Sequence, residues 1–215
     1  PAEARFHELL GDVELKRKNW RGAVDHYGRA KQRDPGYFKP YLASAIAKYE
    51  SGDRAGAEPL ATRAQELLPT STGAYLLGRF AEARGDADGA FKLYSQAAGA
   101  ESDFGQRARR EAARLGLARD PVPYFQLEPR LARDGEIYAA IRNRAGIPVT
   151  GLRFVVAQVD RAGGVVSGPF EVNLGRQILQ PDEVVTVPTR VGPYQDASIL
   201  PFVRFQVLQA QPLNR

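Results

Sequence analysis

Setting Gly11, Ala45 and Gly78 in register, at offsets of 34 and then 33 residues, brings much of the first half of the chain onto itself. Ala23 falls with Ala57 and Ala90, and Ala30 with Ala64 and Ala97. Tyr27 meets Ala61 and Tyr94, and Pro35 meets Pro69. The turns agree as well: Gly52-Asp53-Arg54-Ala55-Gly56-Ala57 parallels Gly85-Asp86-Ala87-Asp88-Gly89-Ala90, and Lys18-Asn19-Trp20-Arg21-Gly22-Ala23 holds that place in the first unit. Repetition on this scale fixes an architecture, because one short unit lacks the surface to bury its own apolar face and must stack on its neighbours.

Each unit reads as an apolar-periodic stretch, a Gly/Asp/Asn turn and a second periodic stretch, closed by proline in the first two units. That order predicts two antiparallel helices joined by a tight turn. Small residues at the shared positions let paired helices approach to roughly 8–10 Å, and the tyrosines fill the space left between hairpins. Pro35 and Pro69 end the second helix, since proline removes a donor and clashes with the preceding turn.

Leu10-Gly11…Ala23…Tyr27…Ala30…Pro35 resembles the tetratricopeptide repeat (TPR), whose motif has Leu-Gly in the first helix, Ala, Tyr/Phe and Ala in the second, and a closing Pro. Leu77-Gly78…Ala90…Tyr94…Ala97 is similar, with Ser102 where the proline would fall. The middle unit departs furthest, with Ser44-Ala45 for Leu-Gly and Ala61 for the aromatic. After the third unit, Ser102 or Asp103 opens a further helix that stops near Gly116. Phe104, Ala108, Ala112 and Leu115 share one face, and Arg107, Arg110 and Arg114 share the outer one, as expected of a capping helix.

From Leu117 the period changes. Pro121 and Pro123 forbid a continuing helix. Ile137, Ala139 and Ile141 then alternate with Tyr138, Ala140 and Arg142, and Val203, Phe205 and Val207 with Arg204 and Gln206. Phe154–Val159 is rich in β-formers, and Phe170–Leu174 and Val184–Val187 are shorter candidates. Six or seven short strands separated by turn signals predict an antiparallel sandwich. The run Glu136–Asn143, followed by Ile147-Pro148-Val149 and a strand ending at Val159, resembles small bacterial immunoglobulin-like domains. The expected fold is therefore α + β and multidomain: an α-solenoid of three TPR hairpins with a capping helix (1–117), a linker (118–123) and an immunoglobulin-like β-sandwich (124–215).

Composition narrows the function. The chain has no cysteine and two histidines, so disulfides, thiol nucleophiles and Cys-ligated zinc are excluded. His7-Glu8-Leu9-Leu10-Gly11 begins like a zinc-protease helix, but Gly11 stands where the second histidine would be; His7 reads instead as an aromatic packing position, and His26 as a surface or inter-helix side chain. Neither a phosphate-binding glycine loop nor a Gly-x-Ser-x-Gly nucleophile occurs. No catalytic residue, metal or cofactor is expected. Net charge is +5, carried by 24 arginines and six lysines, and the excess is +3 over residues 1–117 and +2 over 118–215. Charge so evenly spread does not suit a nucleic-acid partner. No apolar run reaches the roughly 18 residues of a membrane helix. A chain that opens on Pro1 and holds no methionine is expected to be a processed or partial product.

In TPR arrays the first helices line a concave groove. The resemblance places Arg5, Glu8, Asp12 and Leu15, then Lys39, Leu42, Ile46 and Tyr49, then Tyr75, Arg79 and Glu82 on it, with Tyr49 and Tyr75 as anchors for an extended peptide or short helix. Some family members grip a terminal carboxylate through Lys and Asn in the first repeat; Glu8 and Asp12 stand there and would repel one. The function expected is a non-catalytic scaffold that binds a peptide or partner protein in the groove, with the sandwich as a second contact surface. The order of repeats and β-domain also resembles regions appended to bacterial envelope zinc metallopeptidases of the barrel-assembly-enhancing type. That resemblance implies an accessory, periplasmic role beside an upstream catalytic domain, with the cytoplasm as the other compartment. Nothing in the residues fixes an oligomeric state.

Overall fold

The computed structural model describes residues 2–213. Seven helices come first: α1 (Ala2–Lys16), α2 (Trp20–Arg33), α3 (Phe38–Glu50), α4 (Arg54–Leu67), α5 (Ser71–Ala83), α6 (Ala87–Ala97) and α7 (Asp103–Leu117). Six strands follow: β1 (Phe125–Leu131), β2 (Ile137–Asn143), β3 (Val149–Val159), β4 (Val165–Asn173), β5 (Val184–Val191) and β6 (Val203–Pro212). Two compact units result, residues 1–112 and 113–215, with the division falling inside α7.

In the first unit α1–α2, α3–α4 and α5–α6 pair as three hairpins, the TPR-type arrangement expected. The repeated small residues sit at the helix contacts: Ala23, Ala30, Ala57, Ala61, Ala64, Ala90 and Ala97 are all buried. The two glycines of the motif have a sharper reason. A side chain at Gly78 would stand 2.6 Å from the Tyr94 ring, and one at Gly11 would collide with Tyr27. In the middle unit the same two places hold Ala45 and Ala61, both wholly buried, so a smaller partner opposite accompanies the extra methyl.

The turns between helices do more than reverse the chain. Five helices open on one device, a cap side chain that accepts from the backbone N–H of a glycine three residues on. The pairs are Asn19–Gly22 (3.2 Å), Asp53–Gly56 (2.9 Å), Thr70–Gly73 (3.0 Å), Asp86–Gly89 (2.8 Å) and Ser102–Gly105 (3.1 Å). Each bond satisfies one of the four orphan donors at a helix start. Ser102, rather than Asp103, is thus the cap of α7. That helix ends at Leu117, one residue beyond the stop expected at Gly116, and Gly116 is buried in its last turn. Pro35 and Pro69 lie just past the ends of α2 and α4, as proline's missing donor requires.

The second unit is an antiparallel sandwich of two three-stranded sheets, ordered β1-β2-β5 and β4-β3-β6. Ala139 and Ile141 of β2, Leu152 and Phe154 of β3, Val207 of β6 and Leu179 from the connection between β4 and β5 form its core, joined by Ala113 and Leu117. The alternation in β6 holds, with Val203 and Val207 buried and Arg204 and Gln206 exposed. In β2 Ile137, Ala139 and Ile141 are wholly buried and Arg142 is exposed, but Ala140, expected on the outer face, is buried as well, at 4% exposure. β3 and β4 run longer than the sequence suggests, and β1 has no clear signature because Pro129 interrupts it. Proline is confined to the outer strands: Pro129 in β1, Pro169 in β4, Pro188 in β5 and Pro212 in β6, with none in the central β2 and β3. An outer strand has one side free of ladder bonds, and only there is the lost donor harmless.

Asn143 ends β2 as a fully buried polar residue. Its amide donates to the carbonyls of Ile147 and Leu179, both at 2.9 Å, and its side-chain oxygen accepts from the Ala145 N–H at 2.9 Å. One side chain thus ties together three backbone groups, of which the Leu179 carbonyl also accepts from the Val149 N–H at 3.1 Å.

Candidate functional site

The first helices carry the expected groove residues, but the acidic ones turn inward. Tyr27 donates to the Asp12 carboxylate at 2.7 Å, Tyr37 to Glu8 at 2.8 Å and Tyr94 to Glu82 at 2.8 Å. Glu8 retains 14% of its side-chain exposure and also faces the Lys39 ammonium at 3.7 Å. Burial first, and then the neighbouring carboxylate, holds Tyr27 and Tyr94 well above the ordinary phenol range; the same causes push Tyr37 up to about 12. These phenols stay protonated and act as donors that bind the acids to the scaffold. Tyr37, in the connection before α3, was not among the residues expected from the repeat, because it lies between units.

Arg5 and Lys39 are exposed at the first-repeat end, and Leu15, Leu42 and Ile46 are half-buried. Tyr75 corrects the expectation. It is 5% exposed, with its ring 5.8 Å from Tyr94 and 5.6 Å from Phe104 of α7. The repeat register gives the face a residue occupies, and the capping helix then covers that place. Tyr75 therefore packs α5 against its neighbours instead of offering an anchor.

The structure does bring Tyr49, Arg79 and Glu82 together. With Arg54, Phe80 and Ala83 they line a pocket of about 180 Å³. Phe80 meets Tyr49 edge to face at 5.9 Å, and the Arg54 guanidinium lies 5.9 Å from the Tyr49 ring centre. Arg79 is loosely paired with Glu111, at 3.9 Å. The result is an aromatic floor walled by two guanidiniums, a chemistry suited to a planar or apolar side chain bearing a polar tip. Arg54 begins the second helix of its hairpin, so a search confined to first helices passes over it.

His7 and His26 are half-buried and stacked at 5.9 Å, consistent with packing positions. Among the described residues no group of three or more metal-ligating side chains comes together, and no helix is long and apolar enough to cross a membrane.

No family model matches the chain, and no curated protein matches its sequence. Solved structures do share part of its shape. The Arabidopsis OM64 TPR domain is 19% identical over 52% of this chain and 94% of that one, with a TM-score of 0.47. The TPR2B domain of yeast Sti1 in its pHsp70 complex is 16% identical over 54% and 98%, at 0.48. The Sgt2 TPR domain from Aspergillus fumigatus is 24% identical over 50% and 75%, at 0.45. The helical architecture itself rests on the repeat, the caps and the hairpin pairing described above.

Proposed function

We propose that the chain is a non-catalytic protein-interaction scaffold whose helical unit binds a peptide segment of a partner across the first helices. The observation that carries this reading is the Tyr49–Phe80 pocket with Arg54 and Arg79 at its rim, where the half-open Tyr49 ring, backed by Phe80, meets two guanidiniums. Aromatic and arginine side chains of this kind supply most of the binding free energy at protein interfaces. The acids of the groove are bound to tyrosines, so the walls are set before a partner arrives, which lowers the ordering cost of association. The sandwich contributes a second contact surface, and the bacterial envelope is the compartment of this proposal, checked by cell fractionation.

Selection from a random-peptide library against the full chain tests the site. Peptides recovered on the wild type should lose affinity about tenfold or more on Tyr49→Ala, the size of loss typical of an interface anchor. Arg54→Ala should weaken them less. Peptides that bind Tyr49→Ala as well as wild type would place recognition elsewhere.

A further inference from the structure

The second and third hairpins are joined near their turns by a surface ion pair, in which Arg84 donates to Glu58. Between the first and second hairpins the equivalent residues, 33 and 34 positions earlier, are Ser51 and Val24. Those two side chains form no ion pair. In their place is a cavity of about 510 Å³, lined by both of them together with Lys18, Trp20, Arg21 and Lys48. Small-molecule sites have volumes of roughly 300–1,000 Å³, and this one falls among them.

The walls combine a ring with uncommitted positive charge. Trp20 is half-buried and, with Val24, packs on the cluster of Ala23, Tyr27 and Ala47. Lys18 and Arg21 are exposed, and among the described residues neither has an acidic partner. Lys48 is bound to Asp53 at 2.6 Å. Asp25 is the other acid of the lining, so three cations face two carboxylates. Lys18 also has an unusual backbone, with φ at 59°. The later repeats place glycine at this turn position, Gly52 with φ 89° and Gly85 with φ 81°. A lysine is thus held in the left-handed region, against its preference, where glycine fits without strain. The strained residue is a cation, and it stands at the cavity rim.

We propose that this cavity binds a small aromatic acid from solution, with its ring against Trp20 and its carboxylate facing Lys18 and Arg21. Stacking on the indole face supplies apolar contact of defined geometry. Hydrogen bonds from the ammonium and guanidinium to the carboxylate are charge-assisted and select an anion over a neutral ligand. The site is separate from the Tyr49 pocket and does not depend on it.

Trp20 is the chain's only tryptophan, so its indole N–H gives a single reporter peak in a proton–nitrogen correlation spectrum. Naphthoate, naphthamide and naphthylmethylamine offer one ring with negative, zero and positive charge. Naphthoate should shift the peak saturably and bind at least about tenfold more tightly than either of the others. Lys18→Gly restores the residue of the later repeats. Its urea midpoint should hold or rise while naphthoate affinity falls about threefold, as for the loss of one exposed ion pair. Val24→Glu with Ser51→Arg rebuilds the Glu58–Arg84 pair inside the cavity and should abolish the naphthoate-induced shift. Circular dichroism checks that this variant folds; if it does not, Lys18→Gly still decides. Equal affinity for the three probes, or no saturable shift at millimolar naphthoate, overturns the proposal. Undiminished binding by Lys18→Gly, or by the folded double variant, overturns it as well.

Discussion

Gly11 of α1 lies flat against the ring of Tyr27 on α2, so close that no side chain fits between them. The ring is wholly buried, and its hydroxyl reaches past the glycine to Asp12 at 2.7 Å. Overpacking a filled contact of this kind costs about 1–3 kcal/mol, so Gly11→Ala should lower the stability of the helical unit by that order. Ala45 and Ala61 show the alternative that the fold accepts. Tyr27→Ala alone opens a cavity, but combined with Gly11→Ala the loss should be smaller than the sum of the two. Urea denaturation of both single variants and the double variant measures the coupling; strict additivity would mean that the ring does not set the helix spacing.

The three tyrosine–carboxylate bonds make the helical unit sensitive to alkali. Burial and the adjacent acid raise Tyr27, Tyr37 and Tyr94 above the phenol value they have in the unfolded chain. A raised pKa means that the folded state holds the proton more firmly. The resulting stability is fully present below about pH 10 and is lost as pH rises above it toward the folded values. Urea midpoints should therefore hold steady from neutrality to about pH 9 and then fall. The variant with Tyr27→Phe and Tyr94→Phe should show a shallower fall, because two of the three linked protons are gone. An unchanged slope would indicate that these phenols ionise as freely in the folded chain as in the unfolded one.

Much of the helical unit was legible because its physics is local and repeated. Alanines at the helix contacts mark the chain three times over, and a glycine opposite a tyrosine and a proline closing the second helix mark it twice, where a chance feature would appear once. Asn19, Asp53 and Asp86 were visible as turn residues but not as caps, since only the structure shows them accepting from the N–H of the glycine three residues on. The groove was half legible. Helical spacing assigns Tyr49 and Tyr75 to equivalent faces, yet Phe104 covers one and leaves the other half open. Depth of burial depends on which later segment folds over a face, and periodicity carries no such information. Arg54 and Tyr37 were missed for a related reason: they reach the site from a helix start and a connection.

Those caps can be tested one at a time. Asp86 accepts from Gly89 at 2.8 Å at an exposed turn, so its loss disturbs little beyond the cap. Asp86→Ala should destabilise the helical unit by about 1 kcal/mol, and Asp86→Asn by much less, since asparagine caps nearly as well. Thermal melts of the two variants decide this; equal losses would show that charge near the helix start, and not the accepted hydrogen bond, carries the effect.

In the sandwich the most vulnerable single side chain is Asn143. Asn143→Leu preserves approximate volume but leaves the carbonyl of Ile147 and the N–H of Ala145 without their buried partner, and the Leu179 carbonyl with the Val149 N–H alone. Each abandoned buried group costs about 1–3 kcal/mol, so the β-unit should lose several kcal/mol and unfold at markedly lower denaturant. Hydrogen exchange of the β2 and β3 amides reads the loss directly. A near-native exchange pattern would mean that water replaces the asparagine at all three sites.

Pro129 tests how the sandwich guards its outer strands. Ala132 N–H donates to the Glu136 carbonyl and Arg144 N–H to that of Tyr124, at 2.9 and 2.8 Å. These two bonds fix the alternation along the β1–β2 ladder, in which Pro129 faces Ala139. Counting inward from either end, Pro129 falls at a position that makes no ladder bond, with its nitrogen directed away from β2. The proline thus costs β1 nothing in pairing while denying a donor to any further strand at this edge. Pro129→Thr should leave stability within about 0.5 kcal/mol, as for an ordinary surface change, and should raise concentration-dependent association measured by light scattering. Unchanged association would assign protection of this edge to the neighbouring 3-10 turn at Ala197–Phe202, which packs beside β1. Increased association would show that one residue, which gives no donor to the ladder, keeps the sandwich from pairing with other chains.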